Sequence, residues 1–365
     1  MEETVNAVTQ QTTHKHNLQG ITLPSGWKIS QQLPRAADAT GGNFGVGYIA
    51  TRNGETAFVK AIDFVLAMRS NDPAQALADM TNDALFERNV LEYCTAKGMS
   101  HVLRFFGSEY VTLNPNDLMS RVLCIVMEVG DGDLRRERSM VANPSCVWTL
   151  KVMSDIALAL TQLHRGGIAH QDLKPSNVIA VSNGQPDSQV MKIGDLGRVT
   201  RKGAKGPFDH HPWPGDPSYT PPEIWYSHFL SDWNNKREAA DAYMLGIILV
   251  FLCTGVTLQT LVVPLIPHQY HPQNWGGAFD NDLIPVLLNF HAEVLETKVR
   301  PTLMPEIADA LMKIAYELTH PYPKMRGDAR ARRVIGNPVG LNRIQQRIHG
   351  LYVRAAAIER GRGAR

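Results

Sequence analysis

The hydrophobic pattern of this chain shifts from mainly strand-like to mainly helical along its length, and that shift restricts the folds open to it. Up to about residue 130 apolar residues recur mainly in two-residue steps; from Val147 they recur in helical ones, except around His170–Ala180. Strand-rich first and helix-rich later describes an α+β chain of two lobes. In the first part "GWKISQQL" alternates as an opening strand would. Two β-rich runs then flank "RNGE", where Asn53-Gly54 is a two-residue hairpin signal. "NDPAQALADMTNDALFERNVLEYCTAKG" predicts one long helix, with Asp72 as N-cap, Pro73 at the first helical position and Gly98 as the stop. "SRVLCIVMEVG" predicts a strand, and "DGDL" the turn after it. The expected boundaries are a flexible tail over 1–25, a small lobe over 26–130, a large lobe over 131–350 and a basic tail over 351–365.

Composition narrows the function classes. A chain of 365 residues is long enough for two lobes, and a net charge of +2 argues against a general nucleic-acid binder. Cys94, Cys124, Cys146 and Cys253 are scattered without metal-ligand spacing, a usage that suits a reducing compartment. "MEETVNAVTQQTTHKHN" is too polar for a signal peptide, and "MLGIILVFLCTG" is too short to span a bilayer and reads as a buried core helix. The expectation is a cytoplasmic protein with no membrane partner.

Several residues carry chemistry. Lys60 shares its two-residue face with Phe58, Ile62 and Phe64, so an ammonium stands among apolar side chains and requires an anionic partner. Glu87 offers one: Ala84, Val90, Leu91 and Cys94 put its carboxylate on the apolar stripe of the long helix. In "TGGNFGVG", the glycines Gly41, Gly42, Gly45 and Gly47 would let backbone N–H groups approach a phosphate. Downstream, "NVIAV" and "VMKIGD" are short strands joined by the polar "SNGQPDSQ". Folding that hairpin brings Asn177 alongside Asp195, and Asp172 lies just before it. Oxygen ligands of this kind suit Mg²⁺; Asp172 would accept a hydroxyl proton, and Lys174 would neutralise charge on a transferring phosphoryl group.

On these residues the chain resembles the eukaryotic-type serine/threonine protein kinase family over roughly residues 26 to 345. Lys60 looks like the third-strand lysine and Glu87 like its helix partner. "HQDLKPSN" is similar to the catalytic loop and "DLG", from Asp195, to the metal-binding triplet. "GDPSYTPPE" resembles the end of the activation segment with Glu223 as its glutamate; "DAYMLG" resembles the motif whose aspartate, here Asp241, holds the catalytic loop. "YPKMRG" puts Arg326 where the family pairs an arginine with that glutamate. The resemblance implies a bilobal protein-kinase-like fold binding ATP and Mg²⁺ between the lobes. Gly41, Gly42, Asn43, Phe44, Gly45 and Lys60 would meet the phosphates. Met127, Glu128 and Val129 would form the adenine-binding hinge, with Met127 at the gatekeeper position. Asn177 and Asp195 would hold metal, and Asp172 would align the hydroxyl of a protein substrate. Lys174, two residues after Asp172, is the serine/threonine form.

Departures bear on the same reading. Thr40 stands for the first loop glycine, Gly47 for the usual valine over the adenine, and "PRAADA" lengthens the loop. Asp216 replaces the threonine that bridges catalytic aspartate and lysine; it would pair with Lys174 but crowd Asp172 with like charge. Gln171 stands where many kinases have an arginine that docks an activation-segment phosphate. Thr200 is the one hydroxyl between Asp195 and "GDPSYTPPE", and prolines 207, 212, 214 and 217 stiffen the segment. Activity is therefore expected without activation-loop phosphorylation, with control from a regulatory partner or from the insert "TLVVPLIPHQYHPQNWGGAFDND". The alternatives left open are a pseudokinase scaffold and a kinase-like small-molecule phosphotransferase.

Overall fold

A computed structural model describes residues 14–34, 45–182 and 189–363. The chain forms two compact units: residues 1–92 with 104–129, and residues 93–103 with 130–365.

The first unit is built on one antiparallel sheet in the order β1-β2-β3-β5-β4, from β1 (Lys28–Gln32), β2 (Val46–Arg52), β3 (Glu55–Ile62), β4 (Phe105–Thr112) and β5 (Arg121–Glu128). The β2–β3 hairpin closes at Arg52↔Glu55, and Asn53 and Gly54 both take positive φ, as a two-residue turn of this hand demands. Alternation buries Tyr48 and Ala50 of β2, Ala57, Val59 and Ala61 of β3, and Val122, Cys124 and Val126 of β5 in one cluster. Lys60 lies on the other, less buried face of β3, which is where a half-desolvated ammonium can persist. The helix α1 (Pro73–Ala96) begins as expected: Asp72 Oδ1 accepts the Gln75 N–H at 3.1 Å, and Gly98 follows the end at φ +66°. Its buried residues are Ala84, Glu87, Val90, Leu91 and Cys94, the stripe the spacing predicts.

The flexible tail expected over 1–25 needs correction. From His14 onward the chain is packed: Leu18, Leu23 and Trp27 join the sheet's core cluster. Polar bonds fasten the strap, with the Lys15 N–H donating to Asp63 Oδ2 at 2.8 Å and Tyr48 Oη donating to the Lys15 carbonyl at 2.7 Å. Trp27 stacks on Phe106 at 5.8 Å, and the Arg52 guanidinium lies 4.3 Å over its ring. Burial of three large apolar side chains outweighs the entropy that a polar composition suggested.

The second unit is mainly helical. Its elements run β6 (Gly132–Asp133), α2 (Leu134–Ser139), α3 (Cys146–Arg165), β7 (Ile168–Ala169), β8 (Val178–Val181), β9 (Val190–Ile193) and β10 (Thr200–Arg201). Helices α4 (Pro222–Trp225), α5 (Ala239–Thr254), α6 (Leu258–Val262), α7 (Ile284–Val294), α8 (Pro305–Leu318) and α9 (Leu341–Gly363) follow. Ser145 caps α3 by accepting the Trp148 N–H at 3.1 Å. The apolar α5 is buried along almost its whole length, the core helix its composition predicts. The expected basic tail over 351–365 is corrected on its described part, because α9 continues to Gly363 against α3 and buries Leu351 and Ala355.

Candidate active site

In the first unit the β3 register brings Lys60 opposite Gly47 on one side and Ile125 on the other. Its ammonium donates to both oxygens of Glu87, at 2.7 and 2.8 Å, and Glu87 is buried. A bidentate charge-assisted contact of this kind fixes the lysine's position as well as its charge. The glycine loop lies outside the described residues at Thr40, Gly41, Gly42, Asn43 and Phe44, as does most of the lengthened stretch before it. Gly45 is described, and a side chain there would come within 3.0 Å of Lys60 Cγ. A side chain at Gly47 would come within 2.8 Å of the Phe58 ring. The missing valine is thus matched by an aromatic ring from the neighbouring strand. Met127 and Glu128 end β5, with Met127 buried and paired to Phe58 and Phe105; Glu128 Oε2 accepts the Arg104 N–H at 3.2 Å, and Val129 follows.

In the second unit the antiparallel β8–β9 pair sets Val178 opposite Ile193. That register puts Asn177 beside Gly194, whose N–H donates to the Asn177 carbonyl at 2.9 Å, and Asp195 follows directly. Asn177 Nδ2 donates to the Asp172 carbonyl at 2.8 Å and to Asp172 Oδ2 at 3.3 Å. The three residues expected to converge do so. Asp172 holds the nitrogen of the Asn177 amide, so its oxygen would be the donor, and a neutral amide oxygen with the Asp195 carboxylate is a donor pair that fits Mg²⁺. The linking turn lies outside the described residues at 183–188.

Asp216 does more than its replacement of a threonine suggests. Its Oδ2 lies 3.2 Å from Lys174 Nζ, and its N–H donates to Asp172 Oδ1 at 2.8 Å. Lys174 Nζ also lies 3.4 Å from Asp172 Oδ2. Asp216 therefore still bridges acid and lysine, through its amide to one and its carboxylate to the other. Its own charge is turned towards Lys174 and towards the Ser218 N–H, at 2.9 Å, so the expected crowding is relieved. Burial, first of all, holds the Asp172 carboxyl above the usual carboxylate range; Asp195 adds to this, against the opposing charge of Lys174.

Two residues of this site have left-handed backbones, Gln171 at φ +65° and Asp195 at φ +52°. Such conformations in non-glycine residues persist only where the surroundings over-determine them. Around Gln171 they do. Asp241, fully buried, accepts the N–H groups of His170 at 2.7 Å and Gln171 at 2.8 Å, and its Oδ2 lies 2.8 Å from His164 Nε2. Gln171 Nε2 donates to the Arg237 carbonyl at 2.9 Å, while Arg237 Nη1 donates to Gln171 Oε1 at 3.1 Å. Arg237 Nη2 then donates to the carbonyls of Asp209 at 3.0 Å and His211 at 2.9 Å. A buried arginine from the start of the α5 region thus ties the activation segment to the residue beside Asp172. Sequence reading missed Arg237, although it precedes Asp241 by four positions and so shares a helical face with it.

The remaining expected contacts are present. Arg326, fully buried, forks onto both oxygens of Glu223, at 2.7 Å from Nη1, and stacks 4.6 Å over Tyr243. Thr200 is buried in β10, and its hydroxyl has no hydrogen-bond partner among the described residues. In the insert after α5, His271 Nε2 lies 2.8 Å from the Ile266 carbonyl, and Tyr226 Oη donates to the Tyr270 carbonyl at 2.7 Å. Gln259 at its start donates to the Thr220 carbonyl at 3.3 Å.

The comparisons agree with this geometry. A model of the protein kinase domain matches residues 41–261. The serine/threonine-protein kinase PkaA of Streptomyces coelicolor is 27% identical over 230 residues, covering 63% of this chain and 36% of that protein. The mitosis inhibitor protein kinase mik1 of Schizosaccharomyces pombe is 29% identical over 51% of this chain and 27% of its own length. The serine/threonine-protein kinase ArnS of Sulfolobus acidocaldarius is 31% identical over 37% and 23%. This chain therefore spans only part of each relative. With the lysine–glutamate pair, the catalytic loop and the Glu223–Arg326 pair all in place around the matched residues, the chain belongs to the protein kinase family.

Proposed function

We propose that this chain transfers the γ-phosphoryl group of ATP to serine or threonine hydroxyls of proteins, and does so without phosphorylation of its activation segment. One observation carries the first half: Asp172, Lys174 and Asp216 form a buried, mutually bonded set in which the acid also holds Asn177. Lys60, held by Glu87, would bind the α- and β-phosphates. Asp195 and Asn177 would hold Mg²⁺, which supplies charge neutralisation for the transferring group when bound. Asp172 would orient the acceptor hydroxyl and take its proton, a task for which its raised pKa is suited. Lys174 would stabilise the charge that develops during transfer.

The second half is supported by the bonds of Gln171. A neutral amide lacks the charge with which an arginine holds a phosphate, and here it is already engaged by Arg237 and Asp241. Arg237 in turn orders the segment through its carbonyls. Thr200, buried in β10, offers no accessible hydroxyl.

The test uses labelled ATP with generic protein substrates and a panel of small alcohols, with and without Mg²⁺. Transfer to serine and threonine of proteins, dependent on Mg²⁺, is expected. Transfer only to alcohols points to a small-molecule enzyme, and no transfer at all points to a scaffold. Phosphatase-stripped enzyme and a Thr200→Val variant should start without a lag; a lag in either sinks the phosphorylation-independent reading.

A further inference from the structure

A cavity of about 310 Å³ opens beside the activation segment of the second unit, lined by Arg201, Lys205, Lys236 and Arg237, with Asp209 as the single acid, Ser231 as the one hydroxyl and Trp233 as an apolar wall. Neither Lys205 nor Lys236 forms an ion pair among the described residues. Burial, and then the adjacent Arg237, hold Lys236 below the usual lysine range, with Asp209 acting in the opposite sense. Arg201 stacks 4.8 Å over the Tyr93 ring, and Lys202 donates to Asn234 Oδ1 at 2.9 Å, so the surrounding cations are held in place. Packing like charges into a concave site is unfavourable unless an anion completes it.

The stretch of the segment that lines the cavity, residues 201–209, has no hydroxyl to supply that anion. Between Asp195 and Asp216 the segment's one hydroxyl is Thr200, which is buried in β10. We infer that this cavity receives the phosphoryl group of a phosphoserine or phosphothreonine on a peptide from another protein. A phosphate monoester carries about −1.5 to −2 charges at neutral pH and offers three acceptor oxygens, which suits a cluster of lysines and arginines better than a single carboxylate does. Trp233 gives the peptide an apolar surface next to its phosphate, and the backbone at Gly203 and Ala204 offers it polar groups. Occupancy would be felt at the reaction centre, because Arg237 bonds both the segment and Gln171.

The experiment is nucleotide-free, so its outcome is separate from that of the phosphotransferase reading. The full chain, shown by mass spectrometry to be bare at Ser231, is titrated with fluorescein-labelled mixed-sequence phosphoserine peptides and with their unphosphorylated twins. Anisotropy should report binding of the phosphorylated form at least about tenfold tighter. Lys205→Glu and Lys236→Glu should each remove most of that difference, and the unchanged melting temperature of the exposed Lys205→Glu variant would exclude misfolding. Equal affinity for both peptide forms, or indifference to both charge reversals, overturns the proposal. Inorganic phosphate that competes as well as the peptide overturns the peptide assignment and leaves a free-anion site.

Discussion

Asp172 carries the sharpest predictions because its surroundings pull in opposite directions. Lys174 and the Asp216 N–H favour its charged form, while burial and Asp195 oppose it and prevail. Protons should therefore bind Asp172 at higher pH than an ordinary aspartate, whose pKa is about 3.9. As pH falls through that raised value the base is lost, so the acid limb of kcat/KM should lie above the usual carboxylate range. Asp172→Asn should abolish that limb and lower turnover by roughly 10²–10⁴-fold while ATP binding stays near the parental level. Comparable turnover in the mutant would remove Asp172 from the mechanism. The lysine–glutamate pair is tested alongside it. Lys60→Met should eliminate transfer, and Glu87→Gln should weaken it with a rise in KM for ATP, since the neutral amide holds the ammonium less firmly. Initial-rate kinetics on both variants decide this.

Among the elements, the β2–β3 hairpin combines a strong local signal with a departure that local signals do not explain. Gly47 faces Phe58 so closely that an added side chain must displace the ring. Gly47→Val should thus lower the melting temperature and raise KM for ATP, and Phe58→Leu in the same chain should recover much of both. A double-mutant cycle should give a coupling of about 0.5–3 kcal/mol, and strict additivity would refute the pairing. Elements of this kind were legible where their causes lie within a few residues: the Asn53-Gly54 turn, the Asp72 cap, the Glu87 stripe and the register that brings Asn177 to Asp195. Arg237 was not, because its partners Gln171, Asp209 and His211 are distant in sequence and include backbone carbonyls that carry no residue signature. The strap from His14 was hidden for a related reason. Leu18, Leu23 and Trp27 follow neither strand nor helix spacing, so their burial depends on a surface that only the finished sheet provides.

At the scale of the whole molecule, the folded units extend beyond the recognisable family match at 41–261. Helix α9 buries Leu341, Ile344, Ile348, Leu351 and Ala355. At about 1.5–3 kcal/mol for each large side chain, their loss rivals the roughly 5–15 kcal/mol that holds a typical domain folded. A chain stopped after Gly340 should therefore fail to give a cooperative melt of the second unit, and calorimetry would show this. The His164–Asp241 pair adds a pH dependence. Burial opposes charge on His164, but the hydrogen bond and charge of Asp241, with Glu238 behind, outweigh it and raise its pKa. The folded state then binds the proton more tightly than the unfolded chain. The pair's contribution is complete below the unfolded value of about 6.5 and is lost as pH rises through the folded one. Between about pH 6 and about pH 8 the stability advantage over a His164→Gln variant should shrink; an advantage that grows contradicts the pairing. Trp27 opens a separate route to such measurements. It is the one tryptophan of the first unit; Trp148, Trp213, Trp225, Trp233 and Trp275 all belong to the second. Wedged between Phe106 and Arg52, it reports on the strap and the sheet together. Subtracting the emission of a Trp27→Phe chain from that of the parent isolates the small unit's signal, so the order in which the two units melt can be followed in one cuvette with no attached dye.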